Sequence, residues 1–538
     1  MPANISDAPP EILRRIALFA ILATPVGPPR ELYHLSLVCR TIHLILSSNS
    51  AEFYADILAH KFDTQVIIHR LGISTYQDNA KIELRRRFAA LDIFRKGKLD
   101  DSSLTEAFWT AYLMLEEGST TSLKNVKQLV WANLPGFLGS YLQRCLYEGS
   151  ATNNGWPLSN VKNSLAIALF WLLSSRCSVD RETPEMRDRI LHLLSPFVFA
   201  AFRYPIFGAA ENCFRLSTFN FRPAHIGVHG QYPPPQLPPQ DITYFGHIPH
   251  KAHVPCVSVF ASLSYFSRHE TIPVAVPPHL IKANSQTRFE ADTLGPTLDD
   301  MEHFIHRCLT HFVDNSISGI NIRYSKMMPS TIGESSYKLG ALTGRWQGSY
   351  IVPFLDDYQR WLNESQAPSH FPTTGRFPLY VTLQEHFICD PDSVLPWNDT
   401  ERGTLNAWLP SRLTWADKSN GIEILDECGN IKAFYETFRH GQATTCEGKG
   451  VVDVIVTGKP DDRYAAAWGA FHVLGRIRLV DGLAVLARES LSDVGPSVLR
   501  GYITSSENFV GRLKGATSGT EPAAWEATFS LCKDYSVP

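Results

Sequence analysis

The chain has 538 residues, 44% of them hydrophobic and 19% charged, with 50 Lys+Arg against 53 Asp+Glu for a formal charge of −3. That length holds roughly two to four domains and at least one sizeable core. The charge balance excludes a non-specific nucleic-acid or anionic-membrane binder, which needs a basic excess, and 34 Gly with 35 Pro excludes a collagen-like or wholly disordered chain.

The 10 cysteines are scattered, with no C-x-x-C pair. They read as reduced thiols in an intracellular protein, cytoplasmic and/or nuclear, rather than a disulfide scaffold. Arg14-Arg15 before the apolar run 16–23 imitates a signal peptide, but Asp7, Glu11 and Pro9-Pro10 argue against one. Runs 165–173 and 190–202 are too short to cross a bilayer, so no transmembrane span is expected.

The chain opens with three short predicted helices. Asp7 is placed to cap the first, and Pro9-Pro10 fit a first turn, where no N–H is needed. Ile12, Leu13, Ile16 and Phe19 then recur at helical spacing. Residues 24–29, TPVGPP, form a loop. Leu32, Leu35 and Val38 mark the second helix, and Ile42, Ile45 and Leu46 the third, ending near Ser47-Ser48-Asn49. Another amphipathic segment runs through Phe53, Tyr54, Ile57 and Leu58 to Lys61-Phe62-Asp63. Three helices of this length bury little surface, and their apolar excess calls for a partner.

Ala8-Pro9-Pro10-Glu11-Ile12-Leu13 resembles the F-box opening L-P-x-E-I-L, and Leu32-x-x-Leu35-Ser36-Leu37-Val38-Cys39-Arg40 resembles the F-box segment L-x-x-L-x-x-V-C-K/R. The likeness covers roughly residues 5–48 and departs from the pattern at Ala8, at Ile42, where a Trp is common, and in a longer first loop. The run 53–63 is similar to the continuation found in F-box proteins of basidiomycete fungi. The resemblance implies docking on the Skp adaptor and cullin scaffold of an SCF-type ubiquitin ligase. Carried onto this chain, Pro9, Ile12, Leu13, Ile16, Leu32, Leu35, Val38 and Cys39 are the adaptor-binding positions.

From residue 80 to 220 the pattern stays helical. Ser103-Leu104-Thr105-Glu106 has the form of a capping box. Helices are expected over 123–134 and 137–146, separated at Pro135-Gly136, then over 161–174 behind Asn160, and after Thr183-Pro184. The run 165–171 is apolar all round, which marks a buried helix. Arg85-Arg86-Arg87 reads as a solvated face.

Residues 232–239, YPPPQLPP, must be extended. His225, His229, His247, His250, His253 and Cys256 form a metal-like set, but Pro249 and Pro255 break a regular helix and the spacing is not that of a zinc site. His303, His306, Cys308 and His311 read as a mixed helix surface.

After about residue 335 the period falls to 2. Trp346, Gly348 and Tyr350 share a face, as do Leu379, Val381 and Leu383. Hairpins are expected at 422–435 and 475–488, the latter turning on Asp481-Gly482. Further strands fall at 452–456, 502–503, 509–510 and 525–531, an antiparallel set for a closed barrel or sandwich. Gly344-x-Trp346 resembles the first-strand G-x-W signature of lipocalin-like calycin barrels, which implies that Arg512 stacks on Trp346.

The expected class is α+β: a three-helix F-box (1–62), an all-helical linker domain (63–221), a Pro/His-rich connection with some helix (222–335), and an antiparallel β-barrel or sandwich that binds substrate (336–538). No Ser/His/Asp set, G-x-S-x-G, H-E-x-x-H or P-loop occurs. Asp356-Asp357 and Asp461-Asp462 read as turn residues. The expected function is a non-catalytic ligase receptor that takes no metal or cofactor, binds a protein substrate and touches neither nucleic acid nor membrane. The alternative is a barrel that binds a small ligand or peptide and has no ligase role, to be distinguished by whether Trp346, Tyr350, Phe471 and Trp468 fill its interior.

Overall fold

The computed structural model describes residues 8–47, 51–118, 122–207, 214, 237–272, 295–313, 337–397, 405–410, 413–441, 450–490, 495–504, 507–515 and 525–535. The helical part begins with α1 (Pro10–Leu22), α2 (Arg30–Ser36), α3 (Arg40–Ser47), α4 (Ala51–Lys61) and α5 (Gln65–Leu71). It continues with α6 (Ile73–Arg95), α7 (Leu104–Glu116), α8 (Lys124–Trp131), α9 (Leu134–Arg144), α10 (Val161–Leu172), α11 (Arg176–Asp180) and α12 (Pro184–Phe199). A hairpin of β1 (Gln240–Tyr244) and β2 (Ile248–Ala252) precedes α13 (Val257–His269) and α14 (Leu298–Ile305). Among the described residues no helix is long and apolar enough to cross a membrane.

Local chemistry sets these boundaries. Asn160 accepts from the Asn163 N–H at the start of α10, and Thr183 does the same for Met186 at α12. Ser103 makes no such bond; its own N–H is taken by Asp101, so the expected capping box does not form. Pro135 sits in the first turn of α9 rather than between helices, and the break falls at Asn133, whose φ is +58°. Asp7 lies outside the described residues. The apolar run 165–171 is buried throughout, as its composition predicts.

The expected solvated arginine face is a correction. Arg85 is exposed, but Arg87 is buried and paired with Glu83 at 2.7 Å and Glu117 at 2.6 Å. Arg86 bonds Glu83 at 2.9 Å and the Thr243 carbonyl, while Glu83 also accepts the Gly246 N–H at 3.0 Å. Three consecutive helix positions point in different directions, and here two of them meet acids that close the β1–β2 hairpin onto α6.

The C-terminal half is a closed eight-stranded antiparallel barrel. β3 (Gly344–Pro353) pairs with β4 (Thr373–Ile388), followed by β8 (Asp453–Lys459), β9 (Phe471–Arg478), β10 (Leu483–Ser490), β11 (Ser497–Ile503), β12 (Asn508–Gly515) and β13 (Trp525–Asp534), which returns to β3. An excursion of β5 (Thr414–Asp417), β6 (Gly421–Leu425) and β7 (Ile431–Thr437) extends the sheet from the end of β4. α15 (Leu355–Asn363) and α16 (Asp462–Trp468) fill two connections. The paired aspartates therefore sit at helix starts, not in turns: Asp356-Asp357 lie in the first turn of α15, and Asp461 caps α16 by accepting the Tyr464 N–H at 2.7 Å. The β9–β10 turn also differs, because Arg478 is the partner of Leu483, leaving four residues between strands with Gly482 at φ +77°. The Arg478–Asp481 pair at 2.6 Å braces that longer turn.

Seven described cysteines are free, but Cys389 is disulfide-bonded, which corrects the all-reduced expectation at that position.

Candidate functional site

Two regions concentrate features that packing alone does not use. The first is the N-terminal helical face. On α1, Leu13, Ala17 and Ile21 recur at four-residue spacing and are buried. The next row round the same helix, Ile12, Ile16 and Phe19, is exposed at 48, 42 and 63%. Tyr33, Leu37, Val38 and Leu44 on α2, α3 and the turn between them are exposed as well. Of the nineteen large apolar side chains exposed among the described residues, eight fall within residues 12–44. Isolated exposed apolar residues are ordinary; this concentration on one small unit is not.

The unit is tied to the body through its other side. The Gly27 N–H donates to Gln128 Oε1 at 2.8 Å, and Gln128 Nε2 donates to the carbonyls of Pro25 and Lys61. A side chain at Gly27 would strike the Trp131 ring, and its φ is +82°. The buried Lys61 ammonium donates to the Thr24 carbonyl, and burial lowers its pKa. Tyr54 Oη bonds the last turn of α3 at the Leu46 carbonyl.

Of the expected docking positions, Pro9, Ile12, Ile16 and Val38 are exposed, and Leu32, Leu35 and Cys39 are half-buried against the core. Leu13 is only 4% exposed and belongs to the chain's own core. Tyr33 and Leu44 lie outside the expected docking set, and Leu37 is in the F-box-like segment without being one of its docking positions; the available signal is an apolar side chain on the helix side away from Leu32, Leu35, Ile42 and Leu46.

The second region is the barrel. Strand register puts Trp346, Tyr350, Leu379, Val381, Phe471, Leu486, Leu499, Phe509 and Phe529 on its inner side, and all but Tyr350 are buried. Trp346 and Phe529 each contact Phe509, with ring centroids 6.0 and 5.0 Å apart. Trp468 lies on α16, outside the strand wall. One end is closed by residues 337–343: Tyr337 and Thr343 hydroxyls bond Glu385 at 2.7 and 2.8 Å, and Trp346 Nε1 bonds the Leu342 carbonyl at 2.7 Å.

Trp346 follows Gly344, the first residue of β3, as expected, but Arg512 does not stack on it. Arg512 alternates with the inward Gly511 and Leu513, so it leaves the barrel. Its guanidinium donates to the Phe197, Val198 and Tyr204 carbonyls at and beyond the end of α12. The cation over Trp346 is Lys533, 5.9 Å from the ring centroid, in the last strand and directly opposite in register.

Outside the wall, a small cleft lies between β5 and β9–β10, lined by Leu409, Leu413, Trp415, His472, Leu474 and Glu489. Of the histidine set, His225 and His229 lie outside the described residues, His247 is in the β1–β2 turn, His250 is on β2, and Cys256 bonds the Ile206 carbonyl. Cys308 Sγ bonds the Gly348 carbonyl, and the His311 N–H bonds Asn508. Comparison with known protein families, with curated proteins and with solved structures finds no match to this chain.

Proposed function

We propose that this chain is the substrate receptor of an SCF-type ubiquitin ligase, of the basidiomycete F-box type, with residues 9–39 docking the Skp adaptor and the C-terminal β domain holding a protein substrate. The carrying observation is the exposed apolar face over residues 12–44, in the segment with the L-x-x-L-S-L-V-C-R pattern. A receptor makes and breaks no bond. It raises the concentration of a substrate lysine beside a charged conjugating enzyme, an effective-molarity effect. The filled barrel interior favours capture of a protein on the outer surface and loops over a small ligand held inside.

The test is co-expression with a fungal Skp adaptor, comparing wild type with Leu37→Asp/Val38→Asp. Both side chains are exposed, so the variant keeps its fold and melting temperature. Two truncated hot-spot contacts predict at least about a tenfold loss of recovered adaptor. Equal recovery by both proteins overturns the proposal.

A further inference from the structure

The β domain has an open sheet edge, and it borders the cleft between β5 and β9–β10. β5 ends the strand order: it is bonded to β6 on one side and, among the described residues, to no strand on the other. The Lys418 N–H donates to the Gly421 carbonyl at 2.8 Å, which fixes the phase of the ladder. Antiparallel bonds alternate along a strand, so Thr414 and Ala416 bond β6, while the N–H and C=O groups of Trp415 and Asp417 point off the edge. Such an edge is a template for one more strand.

Side-chain alternation decides what an added strand meets. Trp415 and Asp417 are the register partners of Ile424 and Ile422, which are buried, so this face turns toward the barrel wall. There the Trp415 ring stands edge-on to His472 on β9, with 6.0 Å between centroids. The cleft beside them measures about 440 Å³ with its open mouth, and Leu474, Ala487 and Glu489 are in its lining. On an added strand, the side chain opposite Trp415 enters this face and covers apolar surface. The side chain opposite Asp417 falls on the same face, two residues along, beside an exposed carboxylate. Lys418 does not neutralise that acid. Its ammonium is held by Glu423 at 2.9 Å, and Glu423 is the register partner of Ala416, on the other face of the sheet.

We propose that the β5 edge and its cleft capture an extended peptide segment by strand addition, with an apolar side chain opposite Trp415 and a basic one opposite Asp417. In antiparallel pairing the segment reads basic-x-apolar from its N-terminus. Main-chain bonds to Trp415 and Asp417 set the register, the cleft selects the apolar residue, and the carboxylate selects the charge. The inference deepens the receptor reading and rests on it only in taking the β domain as the part that holds a protein.

The experiment uses the full chain without adaptor. The probes are short fluorescent peptides in Ser/Thr surroundings, with Lys, Ser or Glu at one position and Leu or Ser two positions later, read by fluorescence polarisation. The Lys-x-Leu peptide is expected to bind tightest, and replacing its Leu by Ser to lose at least about tenfold. N-methylation of that Leu removes the main-chain donor to the Trp415 carbonyl and abolishes binding. Asp417→Lys, at an exposed position, keeps the melting temperature and moves the preference from the Lys to the Glu peptide, a swing of about fivefold. Ala487→Glu, which fills the cleft, abolishes binding of every peptide. The proposal is overturned if no peptide binds above the Ser-x-Ser level, if the N-methylated peptide binds as well as its parent, or if Asp417→Lys leaves the charge preference unchanged. None of these outcomes bears on adaptor recovery, which is read on a different surface.

Discussion

Single side chains hold the barrel wall through buried charge. Arg476 on β9 makes two bonds to Asp453, at 2.9 and 2.8 Å, and donates to the Leu395 and Trp408 carbonyls. Tyr435 Oη completes the carboxylate at 2.6 Å. Removing one member of such a buried pair strands the other, so Arg476→Met should cost about 3–5 kcal/mol in denaturant unfolding. By contrast, Lys96→Met, at an exposed pair with Asp92, should cost under about 1 kcal/mol. Two desolvated histidines, His386 buried and His269 half-buried, give a pH signature. His386 lies between the Thr437 and Thr457 hydroxyls, each at 2.9 Å, and burial pushes it down to about 4; His269 is lowered likewise. A histidine held neutral contributes full stability above its unfolded pKa near 6.5 and loses it as pH falls toward 4. Unfolding free energy should therefore drop by about 2 kcal/mol per histidine between pH 7 and 5. A flat profile at both positions, tested with His386→Gln, would contradict this. None of these partners was legible beforehand: Asp453 and Arg476 are far apart in sequence, and a triple arginine looks solvated until the acids of other turns are placed around it.

At the scale of elements, alternation and helical periodicity carried most of the fold. The hairpins, the strand at Gly344-x-Trp346 and the caps at Asn160 and Thr183 all follow from local chemistry. Misread boundaries share one cause. Asp and Pro serve both turns and helix starts, so from sequence alone Asp356, Asp461 and Pro135 read as turn or break residues. The barrel curves because inward positions include glycines that let strands approach. Gly501 and Gly511 are register partners, and a Cβ on either would strike the neighbouring strand's carbonyl. Gly511→Val should destabilise by about 2 kcal/mol or more through strand displacement. Gly450→Ala, with open space around it, should leave the melting temperature unchanged. Equal effects of the two substitutions would argue against close strand approach as the reason for glycine. Arg512 illustrates what periodicity cannot choose: its parity on β12 fixes the side of the wall, and that side is toward α12 rather than Trp346.

For the whole molecule, one apolar core runs from Leu13 and Ile21 through α7, α10 and α13 to Val485, Val498 and Val510 on the outer wall of the barrel. The helical body thus holds the N-terminal unit at one place and the barrel at another through a shared core. The apolar excess of the first helices was visible in the sequence. Which rows of it would remain uncovered was not, because that depends on α4, α6 and α8 packing behind them. The most direct measurement is hydrogen–deuterium exchange of the full chain with and without a fungal Skp adaptor. The proposal predicts slowed exchange of amides in residues 10–22 and 30–47, with the barrel strands unchanged. Unaltered exchange across those helices at saturating adaptor, or protection confined to the barrel, would contradict it.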